Sequence, residues 1–369
     1  MSLNFVFSIL LSIVLLGCAS LNPNRKIASA SPTPFELVNK GYNLSGQINE
    51  VPGSDRIAIF FHGSGVQDRW ETMPAEMTLD GKPSPTFKII SDELNKNGIS
   101  TCVFDKRAFK EKGTPQYEAA LKTHTFENIK SDANAVFNYV ESLKRYKKII
   151  LIGHSEGTVT ASEISFEHKG DDQISSIVLI GVLAENLKDS LQHQLTDVMA
   201  KNSFAAADLN HDGKIYPQEV PDNLKAGLPI DKIDTQKKGY ITFNDLMAVL
   251  TPQADQFMKA VQLAPADTII MNKPVQWYRD LFNRKTLIER ANEYSYPVLI
   301  AHGELDANVF YKTNAVPLDQ KLRALKKDVT LTSFPSYGHG LSPAKNGEPT
   351  LGPLQEDALI VLSKWIQEH

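Results

Sequence analysis

The chain has 369 residues, 42% hydrophobic and 22% charged, with a formal net charge of -4 at pH 7. That length accommodates one large α/β domain and an additional module, and the composition is that of a globular chain without solenoid repeats. The slightly acidic balance, with no long basic run, argues against nucleic acid as a partner, and two cysteines, Cys18 and Cys102, offer no disulfide framework.

Phe5 to Val14 is apolar but too short to cross a bilayer, as the hydrophobic stretch of a signal peptide is. It runs into Leu15-Leu16-Gly17-Cys18, which resembles the bacterial lipobox. The resemblance implies that residues 1–17 are a signal peptide and that Cys18 carries a lipid, anchoring the protein to a membrane of the bacterial cell envelope. Ala19 after the cysteine favours the outer membrane. A plain signal peptide cut near Ala19-Ser20, or an uncleaved anchor, is the alternative. Residues 18–34, rich in Ala, Ser, Pro and Asn, read as a tether.

A first core segment is expected over residues 35–181. Phe35 to Glu50 alternates enough for one or two strands, and Ile57 to Phe61 is a buried-strand pattern. Phe87 to Asn97 predicts a helix stopped by Gly98, and Ile99 to Phe104 another strand. Phe126, Ile129, Ala133, Val136, Phe137 and Val140 recur at helical spacing. Ile149 to Ile152 and Ile174 to Ile180 are apolar runs of strand length. After a long interval, Pro297 to Ala301 and Val329 to Phe334 repeat that pattern, and Leu354 to Trp365 predicts a closing helix in a second core segment, residues 291–369. Strands alternating with helices imply a doubly wound, mostly parallel α/β sheet.

The interval 182–290 is too long for a loop and must carry structure of its own. Asp208-Leu209-Asn210-His211-Asp212-Gly213-Lys214-Ile215-Tyr216-Pro217-Gln218-Glu219 fits an EF-hand calcium loop. Asp208, Asn210 and Asp212 are its oxygen ligands at positions one, three and five. Gly213 makes the turn, Lys214 offers a backbone carbonyl, and Glu219 is the bidentate carboxylate at position twelve. A metal-free Asp/Asn/Gly surface turn is the bland alternative. Tyr216 acts only indirectly, and Pro221 is expected to shorten the exiting helix. Residues 234–245 look like a decayed partner loop: Asp234, Gly239, Ile241 and Asp245 are in place, but Lys238 sets a cation at a ligand position. Ile241 is expected to pair with Ile215, forming an EF-hand pair with calcium in the first loop.

Gly153-His154-Ser155-Glu156-Gly157 lies between the run Ile149 to Ile152 and a helix-like segment, the context of a nucleophile elbow. Asp306 and His339 each follow a later strand, completing the order Ser…Asp…His. Glu304 is the local rival for the acid, and it falls early after its strand. These residues resemble those of the α/β-hydrolase superfamily, particularly its serine-aminopeptidase-like and dienelactone-hydrolase-like branch. The resemblance implies that His62-Gly63-Ser64-Gly65 is the oxyanion loop, with the N–H groups of Ser64 and Glu156 as donors, and that residues 182–290 form a helical lid. It implies a serine hydrolase acting on a small ester or related acyl substrate, with peptidase and thioesterase as subclasses. Asp105-x-Arg107 resembles the family's turn after the next strand, with Ala108 where a glycine is usual. A non-catalytic, calcium-binding lipoprotein using the same scaffold for ligand binding is the competing class. Trp277, Tyr278 and Met258 read as lid core rather than pocket lining, and His154 as a packed residue rather than a second base.

Overall fold

The computed structural model describes residues 30–222, 224–225, 227–344 and 351–369. The lipobox and Cys18 lie outside the described residues. One eight-stranded sheet organises the chain: β1 (Ser31–Asn39), β2 (Tyr42–Glu50), β3 (Arg56–Phe61), β4 (Ser100–Phe104), β5 (Lys148–His154), β6 (Ile174–Ile180), β7 (Val298–Gly303) and β8 (Val329–Phe334). Their spatial order is β1-β2-β4-β3-β5-β6-β7-β8. The β1–β2 hairpin and the β2–β4 contact are antiparallel, and every other neighbour pair is parallel.

The helices that frame the sheet and the site are α1 (Thr86–Lys96), α2 (Phe126–Ser142), α3 (Glu156–Glu167), α4 (Phe243–Leu263), α5 (Val275–Phe282), α6 (Ala315–Ala324) and α7 (Glu356–Glu368). Alternation along the strands divides the core in two, because successive side chains leave a strand on opposite faces. Ile149 and Leu151 of β5 pack with α2, α3 and α6, whereas Ile150 and Ile152 pack with α1 and α7. Arg107, just past β4, forks onto Asp132 of α2 at 2.9 and 2.7 Å, both residues being buried. Ala108 after it takes φ 71, the left-handed conformation that suits glycine, and its N–H donates to the Tyr42 hydroxyl at 2.7 Å.

Two features differ from expectation. Ser31 to Pro34 belong to β1, not to a tether, and pair with Glu50 to Gln47 of β2. Their prolines read as breakers, yet β1 is the sheet edge, where a missing N–H costs no ladder bond. The exit from the first EF-hand-like loop is not a short helix. The described residues between Tyr216 and Pro229, a stretch holding Pro217 and Pro221, form turns, and one helical turn, Ile230–Ile233, follows.

The interval after β6 carries its own core of Ala200, Ala207, Ile215, Val220, Ile241 and Leu246. A two-residue antiparallel ribbon sets Ile215 opposite Ile241 and Lys214 opposite Thr242. The chain then runs along α4 and through a hairpin, Ile269–Ile270 with Lys273–Pro274, into α5. Sequence periodicity had no means of finding that hairpin, because its strands are two residues long.

His62 follows β3 and is buried between Phe87 and Phe104, with ring centroids at 5.1 and 5.3 Å and neither ring nitrogen hydrogen-bonded. Burial, opposed by the nearby Glu71 charge, pushes its pKa from 6.5 down to about 4. The unfolded chain therefore takes up this proton first as pH falls, so stability is lost from about pH 6.5 towards pH 4, by up to about 3 kcal/mol. His62→Leu should flatten that part of the profile, as read by urea unfolding at pH 7 and pH 4.5. An unchanged pH slope would show that another group carries it.

Candidate active site

β5 delivers its last residue into a turn of one residue, Ser155, from which α3 starts. Ser155 has φ 55 and ψ -123, a conformation that L-residues hold only under constraint from their surroundings. The constraint is visible: its N–H donates to the Ile180 carbonyl of β6 at 2.9 Å, and strand and helix are nearly in contact. A Cβ on Gly153 would lie 2.2 Å from the Gly157 carbonyl oxygen, and one on Gly157 would lie 1.9 Å from that of Phe61. Neither position admits a side chain, which is why the two glycines flank the serine.

Asp306 and His339 arrive from the ends of β7 and β8. His339 Nδ1 and Asp306 Oδ2 are 2.7 Å apart, both residues buried. The other oxygen, Oδ1, accepts the backbone N–H groups of Asn308 and Val309, each at 2.8 Å. His302 Nε2 approaches Oδ2 at 3.2 Å. Burial works against the charge, but the neighbouring His339 and His302 hold the Asp306 carboxyl well below the usual carboxylate range. Glu304 is exposed and accepts from the Ser333 hydroxyl at 2.7 Å, away from His339.

The backbone N–H groups of Ser64 and Glu156 meet no acceptor among the described residues. The Glu156 side chain is fully buried and satisfied at both oxygens. Lys106 Nζ donates to Oε1 at 2.9 Å and Trp277 Nε1 to Oε2 at 2.8 Å. Lys106 also donates to the Gly63 carbonyl at 2.7 Å. One carboxylate thus links the segment after β4, the loop after β3 and helix α5.

A second buried carboxylate lies beneath the same loop. Glu71, itself at φ 49, accepts the Gly63 N–H and lies 3.1 Å from His154 Nδ1. The His154 ring packs against that of His339, tilted by 43° with centroids 4.8 Å apart, and its Nε2 is 3.3 Å from the His339 carbonyl. Burial opposes both charges, yet the pair holds Glu71 below and His154 above their ordinary values. His154 is thus a packed, hydrogen-bonded residue. Glu71, Lys106 and Trp277 were not found from sequence as site residues, since only tertiary contact brings them there.

Ser64, Ser155, His154 and His339 line a cavity of about 240 Å³. Its apolar wall includes Leu183, Leu187, Trp277 and Tyr278, so the last two, expected as core only, are buried and line the pocket as well. A larger cleft of about 650 Å³ beside Glu304 to Thr313 touches Asp306 but not Ser155, so the smaller cavity is the one onto which Ser155 opens.

In the first EF-hand-like loop Asp208 Oδ1 and Oδ2 accept the N–H groups of Asp212 and Gly213 at 3.1 and 3.0 Å. Asn210 and Asp212 accept from Asp212 N and Lys214 N, each at 2.9 Å, and Glu219 from Tyr216 N at 2.9 Å. Gly213 has φ 77, the sharp turn its position requires. The second loop repeats the pattern, Asp234 accepting from Lys238 N at 3.0 Å and Gly239 N at 2.7 Å. There, however, the Lys238 ammonium pairs with Asp245 at 2.7 Å, and Asp245 forms a capping box with Thr242 at the start of α4. Burial notwithstanding, those hydrogen bonds hold Asp245 down to about 2. Among the described residues, no three His, Cys, Asp or Glu side chains are gathered as a metal cluster.

Residues 82–345, well over half of the chain, match the family described as serine aminopeptidase, S33. The chain is 28% identical over 205 residues to esterase EstD of Thermotoga maritima, 54% of this chain and 45% of that protein. It therefore spans about half the length of that curated relative. Among solved structures, Pyrococcus furiosus esterase PF2001 superposes with a TM-score of 0.53 at 15% identity, covering 92% of this chain and 91% of that one. Est1E from Butyrivibrio proteoclasticus with ferulic acid bound gives 0.51 at 15% identity, covering 90% and 96%. At such identities these two likenesses speak for the α/β-hydrolase fold alone. With that fold, and with the family match enclosing Ser155, Asp306 and His339, the chain belongs to the serine aminopeptidase, S33 family of α/β-hydrolases.

Proposed function

We propose that this chain is a serine hydrolase of carboxylic esters, using Ser155, His339 and Asp306. The observation that carries the reading is the 2.7 Å Asp306–His339 hydrogen bond beside a serine held at φ 55 at the head of a helix. His339 takes the Ser155 proton as the oxygen attacks the carbonyl carbon, and Asp306 fixes the imidazole tautomer and balances the imidazolium. The oxyanion forms against the N–H groups of Ser64 and Glu156, a contribution of about 10²–10³ in rate for a single donor. Collapse expels the alcohol, protonated by His339. Water, deprotonated by the same imidazole, then releases the acid and restores the serine. An aminopeptidase would need a free carboxylate for the substrate ammonium. Glu71, the one carboxylate among the described residues lining the cavity, is already engaged by His154 and Gly63.

We also propose that the loop 208–219 binds calcium. Its donors are hard oxygens at the required positions, Asp208, Asn210, Asp212 and Glu219 through side chains and Lys214 through its carbonyl, and Gly213 already has the turn conformation. Those oxygens now accept local backbone N–H groups, so the ligand set has to turn inward from this arrangement. The second loop is a metal-independent partner, since Lys238 supplies its positive charge. The role fits lid stability rather than sensing, the ion adding stability by mass action. The lipobox supports a lipid on Cys18 and an envelope location, probed separately below.

Ser155→Ala should abolish labelling by a fluorophosphonate and lower turnover of p-nitrophenyl esters by at least about 10³-fold. Wild-type turnover in the purified variant would rule the nucleophile out. Calcium at about 1 mM should raise the melting temperature, and Glu219→Gln should remove most of the gain while Asp234→Asn changes it little. Calorimetric binding that persists in Asp208→Ala combined with Glu219→Gln would place the ion elsewhere. Mass spectrometry of the mature protein should find acylated Cys18 at the N-terminus, and Cys18→Ser should leave unprocessed precursor. An unmodified N-terminus at another residue would exclude lipidation.

A further inference from the structure

The cavity before Ser155 holds one lysine or arginine among its described lining residues, Lys273. It stands on the hairpin that leads into α5, after a two-residue turn in which Met271 and Asn272 have φ 46 and 59. Positive φ at both central positions marks the type I′ hairpin turn, which Asn and Gly favour and Met does not. Met271 also lines the cavity, so the strained turn projects into it. A costly local conformation is retained where it sets the cavity wall.

The charge of Lys273 is poorly matched. Among the described residues its ammonium has no hydrogen-bond acceptor and no carboxylate within ion-pair distance, and its recorded contact is the Trp277 ring face, 5.1 Å to the centroid. The carboxylate whose charge acts on it, Glu156, has both oxygens occupied by Lys106 and Trp277. Burial pushes the Lys273 pKa down, Glu156 opposing and Lys106 adding to the shift. A partly buried ammonium without a counter-charge is unfavourable unless something else supplies one.

We propose that Lys273 is a specificity-determining residue and that the preferred substrate is an ester bearing a carboxylate, which pairs with the Lys273 ammonium while its carbonyl faces Ser155. The inference rests on the serine-hydrolase reading above. One ammonium balances one monoanion, and the apolar part of the wall, Leu183, Leu187, Trp277 and Tyr278, suits the short apolar part that joins carboxylate to ester. Lys273 touches the carboxylate and not the reacting carbonyl, so ground state and transition state gain alike. The discrimination therefore falls mainly on KM.

The test compares two matched ester pairs on the full chain: mono-p-nitrophenyl glutarate against p-nitrophenyl valerate, and 4-butyryloxybenzoate against phenyl butyrate. The first pair carries the charge on the acid side and the second on the alcohol side. The wild type should favour the charged member of one pair in kcat/KM. Lys273→Met should cut that ratio by roughly 10- to 100-fold, chiefly through KM, and Lys273→Arg should keep most of it. Fluorophosphonate labelling of Ser155 reports whether each variant is folded, and Lys273→Gln is measured if the Met variant is not labelled. Turnover without a charge preference in either pair overturns the inference and leaves the hydrolase standing, as does a preference that survives loss of the ammonium in a labelled variant. Absence of both labelling and turnover in the wild type overturns the underlying reading instead.

Discussion

The Glu156 carboxylate is the point on which the catalytic end of this molecule converges. It sits one residue after Ser155, fully buried, with Lys106 on one oxygen and Trp277 of α5 on the other. Lys106 in turn holds the Gly63 carbonyl, so the loop after β3, the head of α3 and helix α5 are tied to one charge pair. A buried pair of this kind adds little net stability over apolar residues of the same shape. Losing one partner costs about 3–5 kcal/mol, because the other charge is left unpaired. The arrangement therefore specifies geometry more than it adds stability.

Strain is concentrated around the same cavity. Glu71, Ser155 and Met271 all line it and all have positive φ, at 49, 55 and 46. Each such conformation costs on the order of 1–3 kcal/mol and persists only where the surroundings impose it. Contact between α3 and β3 imposes it on Ser155, and the buried contacts to Gly63 and His154 impose it on Glu71. The His154 ring then links Glu71 to His339, by ring-to-ring contact and through the His339 carbonyl. The proposed base is thus braced on one side by Asp306 and on the other by a second buried acid–imidazole pair.

The module inserted after β6 is built differently. It has its own apolar centre, joined across the ribbon of Ile215 and Ile241, and it connects to the active site through α4. That helix starts at the capping box of Thr242 and Asp245 and packs on α5, which carries Trp277. Asp245 is better understood as a helix cap neutralised by Lys238 than as a metal ligand. The two loops share a backbone pattern, the first Asp accepting N–H groups four and five residues on, although only the first keeps an uncompensated set of acids.

Much of this was legible in the chain. β6 and β8 span the apolar runs from which they were inferred, and Ser155, Asp306 and His339 were nameable because a nucleophile elbow and strand-end acids and bases are local patterns. The β-branched runs and the Gly-x-Ser-x-Gly spacing act over a few residues, and such signals survive in sequence. The edge strand from Ser31, the hairpin at 269–274 and the missing exit helix after Glu219 escaped, since an edge position, a two-residue strand and clustered prolines are decided by neighbours. Glu71, Lys106, Trp277 and Lys273 lie far from Ser155 in sequence, and nothing near them says they will be buried beside it. Sequence by itself determined the succession of most strands and helices and named the candidate reacting groups, because backbone preference and hydrophobic period are local. Tertiary structure alone decided which charges are paired and which one lines the cavity unpaired among the described residues, because burial and electrostatic pairing belong to the space between segments.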